Sequence, residues 1–303
     1  METVLVANHK VQSKKKKIIG VVILILFAIA SGMFAGMMFV NLYYKGIDYS
    51  KYTEAALRDN ESEIIAKYGS SNVSDLTGVN AFIIAESKLN EKNAITLNAK
   101  GQINAMGVKQ NLYTNRYKNN NSYYVENISK GKVILGIDTN IAERDYYDTA
   151  SGMVKVYKGS NIQETTADFR DLNEEISFEQ WKEKNGTTPL SFQPYIVSSK
   201  TINEATNPAR VTLDNGKQGY YIKMSLNPTS ALLYVKQIKN LSGLSDTPDF
   251  VYINLEIYLN QDGTFNKIIS KEEYKVKKLG QRVSTKSEIT YNFKYELTEI
   301  PTT

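Results

Sequence analysis

The sequence predicts a mostly β (α+β) fold, a curved antiparallel β-sheet with packed helices, preceded by one N-terminal transmembrane helix. Three observations lead there. Residues 18–44 carry no charged side chain and follow four consecutive lysines, Lys14 to Lys17. From Ala94 onward, apolar residues recur at every second position through several segments, the period of strands with one buried face. Turn signals such as Asp262-Gly263 separate these segments, so the strands follow one another as an antiparallel meander.

The uncharged segment is 27 residues long, counted from Ile18 to Tyr44 inclusive. At ~1.5 Å rise per residue it makes a helix of about 40 Å, enough for a hydrocarbon layer roughly 30 Å thick. The preceding lysines hold the N-terminus on the cytoplasmic side. Tyr43 and Tyr44 stand where aromatic rings settle at the membrane boundary. A cleaved signal peptide ending after Ala30 is the competing reading. Apolarity continues through Met33, Phe34, Met37, Met38 and Phe39, which such a peptide does not need. The division that follows is a basic cytoplasmic tail (1–17), a transmembrane helix (18–44), a juxtamembrane stalk (45–72) and an extracytoplasmic antiparallel β domain (73–303). The protein is therefore expected in the cell membrane as a single-pass chain. Ala28, Gly32 and Gly36 form a small-residue stripe of the GxxxG type, which would let two such helices pack as a homodimer.

Charge and composition exclude several functions. The net charge of +5 combines 37 Lys and Arg with 32 Asp and Glu. Lys10, Lys14 to Lys17 and Glu2 account for +4 of it before Tyr44, leaving +1 for the outer domain. That balance provides no footprint for nucleic acid. No cysteine is present, so stability rests on a hydrophobic core rather than on disulfides. His9, in the tail, is the only histidine. The outer domain thus lacks the usual zinc ligands and nucleophile–base pairs, and no metal, cofactor or enzymatic activity is expected. The acidic run Asp168 to Glu175 lacks the spacing and glycine of an EF-hand and reads as a solvated loop.

Along the outer domain, Tyr52 to Lys67 has a thin apolar stripe (Ala55, Ala56, Ile64, Ile65), as expected of a stalk helix. A helix near 75–89 follows, with Asp75 as N-cap and Leu76, Val79, Ile83 and Leu89 on one face. Strands are expected at 94–103, 108–117, 122–128, 132–138, near Tyr146, at 153–157 and at 195–201. A short helix is expected at 178–184. The last third is the most regular. Tyr220, Ile222, Met224 and Leu226 alternate on one strand, and Asn227-Pro228 opens a helix near 228–242. Val251, Ile253, Leu255, Ile257 and Leu259 then alternate on the next strand. After Asp262-Gly263 comes a strand with Tyr274 and Val276 opposite Lys271, Glu273, Lys275 and Lys277. The final strand carries Ile289, Tyr291, Phe293, Tyr295 and Leu297 on one face. A helix followed by three strands occurs twice, at 75–128 and 228–297. The two stretches match in pattern, as an internal duplication would leave them, and not in residue identity. Twenty-one tyrosines suit both half-buried sheet faces and binding surfaces.

The segment Gly219 to Leu226, the helix from Asn227-Pro228 to Gly243, and the strands Phe250–Asn260 and Lys267–Leu279 joined at Asp262-Gly263 resemble the LolA/LppX-like envelope proteins. The resemblance covers roughly residues 70–300 and implies a strongly curved sheet that cups helices around an apolar cavity for acyl chains. The chain departs from the lipoprotein members in having no lipidated cysteine and a membrane helix instead. A tethered carrier does not diffuse between membranes, so presenting or sensing lipid at one surface is the implied role. On that reading the protein is an extracytoplasmic binding protein holding a lipid or other apolar ligand. Its candidate lining residues are Ile222, Met224, Ile253, Leu255, Ile257, Tyr291, Phe293 and Tyr295. A closed core satisfies the same pattern. The alternative function is a cell-surface scaffold or sensor subunit that works through protein–protein contacts.

Overall fold

Long alternating strands joined by tight turns build one curved antiparallel sheet, as the periodicity requires. The computed structural model describes residues 47–105, 108–120, 122–131, 140–185, 195–235, 247–278 and 281–296. The chain divides into two compact units, Met1–Lys45 and Gly46–Thr303. The expected tail, the membrane helix with Ala28, Gly32 and Gly36, and the strand at 132–138 lie outside the described residues. Among those described, no helix is long and apolar enough to cross a membrane.

The sheet is formed by β1 (Ala94–Ala105), β2 (Val108–Asn119), β3 (Ser122–Gly131), β4 (Ile141–Asp148), β5 (Met153–Lys158), β6 (Leu172–Ser177), β7 (Ile202–Ala205), β8 (Ala209–Thr212), β9 (Gln218–Leu226), β10 (Asp249–Asn260), β11 (Phe265–Lys278) and β12 (Gln281–Lys294). Its order is β6-β5-β4-β3-β2-β1-β12-β11-β10-β9-β7, with β8 also paired to β9. Most sheet neighbours are also chain neighbours; the exceptions are β12 beside β1 and β7 beside β9, while β6 and β7, consecutive in the chain, stand at opposite ends of the order. The β12–β1 pair joins the first half of the sheet to the second.

Register fixes which side chains share a face, because directly opposed residues project to the same side. One row runs Met224–Leu255–Ser270–Ile289–Gly101–Leu112–Ser129–Ile141 across eight strands. We call this the inner face, since the helices lie on it. At Gly101 an added Cβ would stand 2.3 Å from the Glu288 carbonyl oxygen, so β1 and β12 approach too closely there for a larger residue.

Four helices are described: α1 (Glu54–Leu57), α2 (Glu61–Tyr68), α3 (Gly78–Glu91) and α4 (Phe178–Asn185). α3 is capped two residues later than expected, by Thr77 rather than Asp75, with Thr77 Oγ1 accepting from the Asn80 N–H at 3.2 Å. Val73 to Asp75 instead form a 3-10 turn that buries Val73. From α3, Ala81, Phe82, Ile84, Ala85 and Leu89 enter the main core, where the Phe82 ring meets Phe265 edge-on at 5.2 Å. Each such large apolar side chain contributes about 1.5–3 kcal/mol by leaving water.

Three expectations need correction. Residues 47–72 are not a free stalk. The Leu57 carbonyl accepts from Ser198 Oγ at 2.5 Å, Asp59 takes the Ser199 N–H at 2.7 Å, and Tyr49 donates to the Pro228 carbonyl at 2.9 Å. Burial of Leu57 and Tyr49 explains the docking, since the thin stripe finds apolar partners in the body. Second, 195–201 is no strand. Its apolar residues are buried, but the segment is pinned by Thr201, whose hydroxyl donates to the Ile196 carbonyl at 2.7 Å and accepts from Ser198 N–H at 2.9 Å. Third, Pro228 opens a 3-10 turn to Ala231 rather than an α-helix at once, and a helical turn at 232–235 follows. The rest of the expected helix lies outside the described residues.

The topology also argues against a duplicated unit. Viewed from the inner face with the leading strands aligned, β1-β2-β3 steps one way across the sheet and β10-β11-β12 the other. Superposing them would put their helices on opposite faces, whereas α3 and the 231–235 segment share one core.

Candidate functional site

The inner face is closed at one end and open in the middle. Over β9 to β12 and the first half of β1 it is covered by α3 and the segments around Tyr195 and Val235, and most of its residues are buried. Along the row traced above, Met224, Leu255, Ser270 and Ile289 are buried. Gly101, Leu112 and Ser129 are partly exposed, and Ile141 is 43% exposed. The neighbouring rows behave alike: Ile103 and Gln110 follow Ser287, and Thr114, Asn127 and Glu143 follow Tyr291. All five of these are partly exposed. The partly exposed stretch is amphiphilic, with Ile103, Ala105, Leu112 and Ile141 among Gln110, Thr114 and Asn127, while Arg116 Nε and Ser129 Oγ are buried within it.

Six of the eight sequence-predicted lining residues fall in the closed part. Ile222, Met224, Ile253, Leu255, Ile257 and Phe293 belong to the main core beneath α3. Tyr291 and Tyr295 are partly exposed and pack against its edge. Tyr295 stands at the far end, donating to the Phe265 carbonyl at 2.9 Å. Tyr291 stands at the border of the open stretch, opposite Ala99.

A polar cluster marks that border. Glu272 on β11 is buried, and Ser287 donates to its Oε1 at 2.7 Å while Tyr195 donates to Oε2. Tyr234 supplies a third hydroxyl. Burial pushes the Glu272 carboxyl up, against these three donors, which favour the charged form. Burial likewise raises the phenols of Tyr195, Tyr234 and Tyr291. Three hydroxyls on one carboxylate satisfy a group whose isolated burial would be costly. On β2, Arg116 extends over the same face, with Tyr291, Tyr234 and Asp145 as its electrostatic neighbours; burial draws its pKa down.

The far end of the inner face is covered again, by α4. A second core of Tyr123, Tyr147, Val154, Val156 and Trp181 forms there, and Phe178 stacks on Tyr147 at 4.8 Å. Trp181 Nε1 donates to Asp145 Oδ2 at 2.9 Å, and Lys184 reaches Glu174 at 2.5 Å. On the opposite, outer face, Glu126 accepts from Tyr124 at 2.7 Å and Arg144 at 2.9 Å, with Phe169 stacked 4.1 Å from that guanidinium. Phe169, from the loop after β5, lies over this outer network, in which Arg144 stays partly exposed.

The sequence reading passed over Arg116, Asp145, Trp181 and Glu272. The phase of alternation would have found Glu272, which shares a side with Tyr274 and Val276, and Arg116, which shares one with Leu112. Among the described residues no His, Cys, Asp and Glu group could hold a metal ion.

No family model matches the chain, and no curated protein matches it. Among solved structures it is similar to a DUF1329 family protein from Desulfovibrio piger, at 8% identity and a TM-score of 0.24, over 75% of this chain and 93% of that one. A beta-barrel-like protein of domain of unknown function DUF1849 from Brucella abortus aligns at 7% identity and a TM-score of 0.23, over 67% of this chain and 98% of that one. No residue role is carried across from either.

Proposed function

We propose that the protein is a membrane-anchored, extracytoplasmic binding protein that holds an amphiphilic, lipid-like ligand on the open stretch of its inner face. The single observation that carries this is the change along one register row, from buried Leu255 to partly exposed Leu112 and exposed Ile141. Apolar side chains stay accessible in the middle of a sheet face whose two ends are covered. Ile103, Ala105 and Leu112 would take the apolar part of the ligand. Thr114, Asn127 and the hydroxyl of Tyr291 supply hydrogen bonds for its polar end, a mixture usual in small-molecule sites. The binding surface thus lies on β1 to β4, at the edge of the main core, against which Ala105 and Leu112 pack. A curved antiparallel sheet with helices on one face agrees with the LolA/LppX-like resemblance, and the uncharged segment 18–44 supplies the tether.

The test uses residues 46–303, expressed without the anchor and purified without detergent, then extracted with organic solvent for mass spectrometry. A stoichiometric amphiphile that is lost in Leu112→Gln, with the fold intact, is the expected result. An empty, stable, monomeric domain overturns the reading.

A further inference from the structure

We propose that α4 is a proton-dependent clasp on the end of the inner face, docked when the carboxyl cluster beneath it holds a proton and released when that proton is lost. The geometry is an interface with two parts. The apolar part is Trp181 and Phe178 against Tyr123, Tyr147, Val154 and Val156. The charged part sits at its edge: Asp145 and Glu143 project from β4, Glu174 from β6, and Lys184 from α4 itself.

Asp145 is the pivotal group. It is 4% exposed, and Trp181 Nε1 holds only its Oδ2. Its Oδ1 is buried with no hydrogen-bond partner among the described residues. An ionised carboxylate in that setting lacks solvation on one oxygen, whereas a neutral carboxyl keeps the indole contact at less cost. Burial first, then the charges of Glu143 and Glu174, push its pKa up to about 8, against Trp181 and Lys184, which pull it down. Glu143 is raised as well, mainly by burial. Besides Lys184, the cations in reach are Lys158 of β5, exposed and facing Glu143, and Arg116 of β2, facing Asp145. Of the two lysines on α4, Lys182 is exposed and Lys184 pairs with Glu174, so the neighbouring buried carboxyls of Asp145 and Glu143 are compatible with docking only while a proton is shared between them.

The sign follows from the raised acid. The undocked carboxyl titrates near its ordinary 3.8 and the docked one near 8. Docking is therefore strongest at low pH, weakens as pH rises above about 4, and is weakest above about 8. Release would uncover the Trp181 pocket and lengthen the open stretch of the inner face toward β5 and β6. The clasp stands independently of what that face binds.

Trp181 is the chain's only tryptophan, so its fluorescence reports on α4 alone. The experiment follows emission maximum and acrylamide quenching of the full-length protein in detergent from pH 5 to 9, with hydrogen exchange of 178–185 beside that of 253–257. Expected are a blue, protected emission below pH 7, and a red shift with at least threefold stronger quenching by pH 9. Exchange rises in 178–185 only. Asp145→Asn, which keeps an acceptor for the indole but cannot ionise, should stay docked throughout. If that variant fails to fold, Glu143→Gln carries the test: with one neighbouring charge removed, release moves to higher pH. A flat wild-type signal, an unchanged midpoint in Glu143→Gln, or simultaneous exchange of 253–257 overturns the proposal.

Discussion

Replacing Phe82 by alanine tests whether α3 is the element that closes the core over β9 to β12. Phe82 is fully buried, its ring stands edge-on to Phe265 at 5.2 Å, and Phe265 in turn lies 5.4 Å from Phe293. Truncation removes the transfer energy of the ring and leaves a cavity that two further rings cannot fill without leaving their rotamers. Phe→Ala changes at such sites cost about 3–5 kcal/mol. The edge-to-face pairing lost with the ring accounts for about 0.5–1.5 kcal/mol of that. Against a domain stability of roughly 5–15 kcal/mol the variant should still fold. Its thermal midpoint should fall by on the order of 10 °C. Urea denaturation of the full-length chain, followed by far-UV circular dichroism, gives the difference directly. Phe82→Leu, which keeps most of the volume, should recover more than half of the loss. A loss below about 1 kcal/mol for Phe82→Ala would refute the packing account.

Three smaller changes probe other parts of the structure. Thr77→Ala removes the cap of α3 and should cost about 1 kcal/mol in the same denaturation experiment. Tyr195→Phe leaves buried Glu272 one donor short and should cost about 1–3 kcal/mol, whereas Tyr221→Phe on the outer face should be close to neutral. Burial pushes the Glu86 carboxyl up to about 7, although Arg58 pulls it down. Stability from this group is thus present below its ordinary 4.5 and is lost as pH rises through 7. The difference in thermal midpoint between wild type and Glu86→Gln should therefore vary with pH across that window, and a constant difference would contradict the assignment.

The regular parts of the fold were legible because one side of each strand meets a core and the other meets water. Ile253, Leu255 and Ile257 alternate with Asn254 and Glu256 for that reason, and Asp262-Gly263 supplies a glycine at φ +81° for the turn. Local signals misled where side chains bond to the backbone. Asp75 and Thr77 are both good caps, and burial of Val73 and Leu76 decides between them. Tyr195, Ile196 and Val197 have the composition of a strand, yet their apolarity serves burial and Thr201 shapes the backbone. The position of the open stretch was not legible at all. Leu255 and Leu112 have the same character in sequence; only long-range packing buries the first completely and leaves the second partly exposed at the edge of the same core. The polar border was half legible, since Arg116 and Glu272 carry charge in the phase of the buried side chains.

The account's central claim is that the open stretch of the inner face binds the apolar part of a ligand. Its most direct test is photo-crosslinking of the full-length protein with a diazirine-bearing fatty acid, followed by peptide mapping. Label on 99–116, competed by excess unlabelled fatty acid and weakened in Leu112→Gln, is the predicted result. Label confined to 18–44, or spread over the outer face without competition, would contradict it.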